Sequence, residues 1–194
     1  EYRWTCLEYQ PTLVDLSRQR NEYMGLNAKA EVWSAFPGDV EQCQIQDCKH
    51  LLGKLGHVPP VDAIYLKHFC GGATAGALFT AVHQKKKPII VAMTCCADRY
   101  PGLSHAVLAP HTPFGTYAAL AKASQNRRSE QGLDAVQQID NLRAQFLRKH
   151  GYRVFRGWQT DAQGKRTPSG SWLISVPPGT PLPERIRSNR GRRR

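Results

Sequence analysis

The chain has 194 residues, 41% of them hydrophobic, which is enough for one domain with a sizeable core or a domain with appendages. No apolar run approaches the roughly 18 residues of a membrane span, and the opening EYRWTCLEY places charge and aromatic rings where a signal peptide needs an apolar stretch. Lys and Arg number 27 against 15 Asp and Glu, a net charge of +12, and this balance favours a polyanionic partner, nucleic acid first among them.

Because it begins with Glu1 rather than Met, the chain reads as processed, truncated or cut from a longer polypeptide. Residues 2–8 suit a strand that ends at Glu8. Pro11 opens a helix that runs to Met24, with Leu13, Val14, Leu16 and Tyr23 apolar and Gly25 closing it. A second strand is expected over Ala30–Ala35, then the turn FPGDV, then a short helix from Gln44 to Leu55 ended by Gly56 and the Pro59-Pro60 pair.

The segment Val61–Gly102 organises the rest. Its two apolar runs, Val61–Leu66 and Pro88–Met93, are strand-length and too uniformly apolar for a wet face, so both are expected to be fully buried parallel strands. Ala73–His83 carries Ala77, Leu78, Ala81 and Val82 at helical spacing between them, giving a strand, helix, strand crossover. Each strand ends in an unusual turn, KHFCGG after the first and TCCADR after the second. The carboxyl ends of strands in open parallel sheets are where ligands sit.

From Tyr100 to Ser129 the pattern weakens, with Pro110, Pro113 and Gly115 interrupting and one helix expected at Tyr117–Ala123. Asp134–His150 is the clearest helix, with Val136, Ile139, Leu142, Phe146 and Leu147 on one face and Gly151 after it. Tyr152–Trp158 and Ser171–Val176 form an antiparallel hairpin across the polar turn TDAQGKRTPSG. Trp158 and Trp172 belong to this hairpin and read as core rather than stacking platforms. From about residue 179 the chain is a Pro- and Arg-rich tail. Free in solution such a tail is disordered, and phosphate oxygens are its natural partner.

This order resembles the class I S-adenosylmethionine-dependent methyltransferase fold read from its second strand onward. The expected architecture is thus a Rossmann-like α/β domain over residues 1–178, with a mostly parallel sheet, a C-terminal antiparallel hairpin and an insertion at about 100–131. The turns LKHFCGGATAGAL and AMTCCADRYPG resemble the H-x-C-G-x-A-T-D and C-C-x-x-R turns of a group of RNA-methyltransferase-like domains, including tRNA ribose methyltransferases. The resemblance implies Glu8 for the ribose hydroxyls of the cofactor, Gly38 and Asp39 beside its adenine, and His68, Cys70, Cys95, Cys96 and Arg99 at the methyl acceptor. Two features depart from the pattern. No G-x-G-x-G precedes Glu8, and Ala75, Ala97 and Asp98 stand where related turns carry Asp and His.

Other readings of the same residues stay open. Cys70 fills a tight turn equally well. Cys95 and Cys96 lack the spacing of a zinc site, and Cys48 and His50 would point apart on a helix, so no metal is expected. Cys6, Cys70, Cys95 and Cys96 fall in or beside buried strands, which suits a reducing compartment rather than a disulfide framework. Lys165 and Arg166, with Arg187, Arg190, Arg192, Arg193 and Arg194 of the tail, are the candidate phosphate contacts.

The function expected is that of a methyltransferase-like, RNA-binding scaffold in a ribonucleoprotein, a mitochondrial ribosome or its assembly intermediate being favoured. The alternative is an active RNA methyltransferase that uses S-adenosylmethionine. The partners expected are rRNA and neighbouring subunits, with no membrane.

Overall fold

A computed structural model describes residues 4–8, 15–16, 18–19, 22–24, 28–32, 62–67, 71–94, 97 and 99–181. The chain forms two compact units, Glu1–Gln42 and Cys43–Arg194. In the first, strand β1 (Trp4–Glu8) pairs in parallel with β2 (Ala28–Val32), Trp4 opposite Ala28 and Glu8 opposite Val32. The second strand thus starts two residues earlier than its apolar run suggests. Helical residues lie between the strands, as expected, and Asp15 pairs with Arg18 at 3.2 Å one turn on. Leu16 and Tyr23, expected on the apolar side of that helix, are 59% and 92% exposed. No described residue covers them.

The second unit is α/β with a four-stranded mixed sheet. Its elements are β3 (Ala63–Lys67), α1 (Gly72–His83), β4 (Ile89–Met93), α2 (Pro101–Leu108), α3 (Phe114–Ala123), α4 (Glu130–Lys149), β5 (Arg153–Thr160) and β6 (Arg166–Val176). The strand order is β3-β4-β6-β5. β3 and β4 are parallel, Ile64 opposite Ile90, whereas β6 is antiparallel to both its neighbours. The expected C-terminal antiparallel hairpin is present, and with it the sheet of this unit is mixed: one of its three strand pairings is parallel. The reason lies in the hairpin. Its second strand turns inward onto β4 and leaves β5 at the rim.

The two parallel strands are also not buried on both faces. Along β4, Ile90 and Ala92 are buried while Ile89, Val91 and Met93 are only half-buried, and Tyr65 of β3 is 56% exposed. Helices account for this alternation. Ala77, Leu78, Ala81 and Val82 of α1 and Ala144 and Leu147 of α4 pack with Leu66, Ile90, Ala92 and Leu173 in one core. Packing against one face of a sheet produces a period of two whatever the neighbouring residues are.

Helix α4 has defined ends. Ser129 accepts from the amide of Gly132 at 3.1 Å, an N-cap worth about 1 kcal/mol, and Glu130 and Arg148 stand where the helix dipole favours them. Gly151 follows in the left-handed region with φ of 87°, its amide donating to Arg148 O at 2.9 Å, so the chain reverses straight into β5. The cap places the helix start four residues before the Asp134 expected, because Ser129 and not the first apolar residue sets it.

Candidate functional site

The carboxyl ends of β3 and β4 lie side by side, Leu66 opposite Ala92 and Lys67 opposite Met93. The turns leaving these ends are joined by backbone. Gly72 N donates to Arg99 O at 2.7 Å, and Gly71 has a φ of 50° with a ψ of −119°. A Cβ on Gly71 would overlap the Arg99 carbonyl, and one on Gly72 would come within 2.7 Å of Tyr100. Only glycine permits this approach, because it carries no side chain and tolerates positive φ. Tyr100 answers from the other side with a left-handed conformation, φ 53° and ψ 55°, directly before Pro101 opens α2. Such a conformation is uncommon for a non-glycine residue and clusters at functional sites.

Beneath the β4 turn lies a buried polar cluster. Thr94, the residue after β4, donates through Oγ1 to Asp140 Oδ2 at 2.9 Å, and Ser171 of β6 donates to the same oxygen. Asp140 Oδ1 accepts from Arg143 Nη1 at 2.7 Å, with both side chains no more than 5% exposed. One carboxylate thereby ties the carboxyl end of β4 to β6 and α4. Arg127 reinforces the join, its Nη1 donating to Pro168 O at 2.9 Å and to Thr94 O at 3.4 Å.

Helices α2 and α3 close over this region. His105, buried in α2, meets Thr112 O through Nε2 at 2.6 Å and lies edge-on to Phe114, with ring centroids 5.4 Å apart. Tyr117 is 1% exposed. Burial pushes its hydroxyl above the usual range, against the pull of the Arg143 guanidinium.

Of the residues singled out in the sequence, Arg99 is exposed and its carbonyl carries the clamp between the turns. Glu8 ends β1, as the strand reading required. His68, Cys70, Cys95, Cys96, Gly38, Asp39 and the arginines Arg187, Arg190, Arg192, Arg193 and Arg194 lie outside the described residues. Lys165 is exposed in the hairpin turn. Arg166 is held between two carboxylates, Glu130 at 2.5 Å and Asp134 at 2.9 Å, and its guanidinium lies over the Trp158 ring. Trp158 and Trp172 are half-buried. Trp158 donates to Thr167 O at 2.6 Å, while Trp172 occupies the space a side chain at Gly157 would need. Among the described residues no group of three His, Cys, Asp or Glu side chains is arranged to hold a metal ion.

Sequence reasoning passed over Asp140, Arg143, Thr94 and Ser171. A signal was present, since Asp140 and Arg143 sit three apart on the apolar stripe of α4 beside Val136, Ile139 and Leu147. Polar residues on such a stripe must find partners inside. The elements and this edge define an α/β domain with a mixed sheet and a backbone-clamped pair of turns at the carboxyl ends of its parallel strands. Comparison with protein-family models, curated proteins and solved structures gives no match.

Proposed function

We propose that the chain is a methyltransferase-like domain that binds RNA as a scaffold or assembly factor of a ribonucleoprotein, such as a mitochondrial ribosome. What carries this reading is the strand order β3-β4-β6-β5, in which the second hairpin strand enters antiparallel between β4 and β5. The resemblance seen in the sequence implies a closing hairpin of that kind. Net charge of +12 supports the RNA partner, because each phosphate contact by Lys or Arg releases a counterion. Scaffolding is preferred over catalysis because Ala75, Ala97 and Asp98 stand where the related turns carry Asp and His.

The clamp between Gly71-Gly72 and Arg99-Tyr100 favours the second reading, an active RNA methyltransferase. Turns fixed at backbone contact distance hold the residues they carry in one geometry, which an acceptor site requires. In that case Glu8 and Asp39 bind S-adenosylmethionine, while the turns containing His68, Cys70, Cys95, Cys96 and Arg99 present the acceptor.

Calorimetry of S-adenosylmethionine with the natural full-length protein separates the two readings, with Glu8→Ala as the control. Micromolar binding abolished by the substitution selects the enzyme. No heat of binding, together with salt-dependent retention of RNA, selects the scaffold.

A further inference from the structure

We propose that the amino edge of the four-stranded sheet, opposite the clamped turns, is the surface that holds the phosphate backbone of RNA. This inference rests on the RNA reading above and adds to it the surface that does the work. At this edge meet the amino ends of β3 and β4, the loop before β4, the end of α4 and the start of β5. These bring together His83, Lys85, Lys87, Lys149, His150 and Arg153. The contacts are direct. Lys87 Nζ donates to His150 O at 2.6 Å, and the rings of His83 and His150 stand 5.5 Å apart.

The exposed carboxylates described in this unit are unevenly placed between the two ends of the sheet. Among the described residues, Asp62 is the carboxylate at the amino edge, and Lys86 pairs with it. Glu130 and Asp134 lie at the other end, bound to Arg166, and Asp161 folds back on the hairpin turn through the amide of Lys165 at 2.8 Å. A helix C-terminus attracts cations for its own dipole, which accounts for Lys149 and His83. Lys85 follows the C-cap of α1, but Arg153 is on no helix end, so the dipole does not explain it. The local field agrees with this placement. His150 is held below the usual histidine range by burial and then by its neighbours His83 and Lys87.

The root of the arginine tail leaves from the same edge. β6 ends here at Val176, opposite Arg153, and Arg153 Nη2 donates to Thr180 O.

The test is fluorescence anisotropy of a mixed-sequence single-stranded RNA oligonucleotide with the full chain over rising salt. Lys85→Glu and Lys149→Glu change exposed side chains and are expected to leave the thermal transition in place. Each is expected to weaken binding several-fold and to lower the logarithmic salt slope by about 0.7. Lys122→Glu makes the same charge change away from the edge and is expected to have little effect. Nuclear magnetic resonance of the His150 imidazole gives the second readout, and RNA is expected to raise its titration midpoint. If RNA binds but Lys122→Glu weakens it as much as Lys85→Glu, or the His150 midpoint stays put, the edge assignment is overturned while the RNA reading survives. No RNA binding by the unsubstituted chain overturns both. Stronger binding to phosphatidylserine vesicles than to RNA would overturn the choice of partner.

Discussion

Asp140 holds Arg143 one turn along α4 at 2.7 Å, and the two side chains are among the most deeply buried in the second unit. Among the described residues Arg143 Nε and Nη2 have no hydrogen-bond acceptor, and Asp140 is the group that balances this interior charge. Asp140→Ala is expected to cost about 3–5 kcal/mol of unfolding free energy in urea titration, because it strands a buried guanidinium. Replacing both, Asp140→Leu with Arg143→Met, is expected to cost less than the single change. A double variant weaker than Asp140→Ala would show that the pair itself, and not the stranded charge, carries the stability.

The clamp between the turns makes a separate prediction. Gly71→Ala puts a methyl group into the Arg99 carbonyl at a positive φ, and is expected to lose more than about 1 kcal/mol. The Gly72 amide, which donates to Arg99 O, is expected to exchange with solvent much faster in the variant. Hydrogen exchange read at that amide checks the point directly. Retained protection would mean that the contact survives by shifting Arg99.

Much of this unit could be read from residue order because its signals are local. The α4 stripe, the glycine after it, the two hairpin strands around a polar turn and the two apolar runs depend on neighbours within a few residues. α2 escaped notice because Pro101 stands at its first turn, where proline is tolerated, while Pro110 and Pro113 just beyond it mark the region as broken. β6 begins at Arg166 rather than Ser171 because its first residues pair with β5 around an irregularity at Trp158 and Thr160, which no local pattern encodes. The Asp140 cluster depends on pairings 31 and 46 residues apart in sequence. Spacing along one helix exposes Asp140 and Arg143 as anomalies but cannot name Thr94 and Ser171 as their partners.

Arg166 and its neighbour Lys165 are expected to behave differently toward RNA. Glu130 and Asp134 already neutralise Arg166, and their hydrogen bonds raise its pKa further, whereas the Lys165 side chain is exposed. Both residues lie away from the proposed amino edge, so both effects should be small, and Arg166→Gln should change RNA affinity less than Lys165→Gln does. Its effect on stability should be about 1 kcal/mol or less, since both carboxylates are largely exposed. Paired anisotropy and thermal unfolding measurements test this, and a larger loss of RNA affinity from Arg166→Gln would mean that RNA displaces the carboxylates.

The His150 environment sets a pH dependence with a definite sign. Its pKa in the folded chain lies below the ordinary 6.5, from burial first and from His83 and Lys87 second. Between the folded and unfolded midpoints the unfolded chain therefore binds more protons, so stability falls as pH drops below about 6.5 and the loss is complete below the folded value. Phe146, whose ring centroid is 4.8 Å from that of His150, contributes to the desolvation. His150→Gln removes the titration, and the variant is expected to lose less stability than the parent between pH of about 8 and about 5. Urea unfolding midpoints at the two pH values supply the comparison. Equal losses in the two proteins would assign the acid sensitivity to other groups.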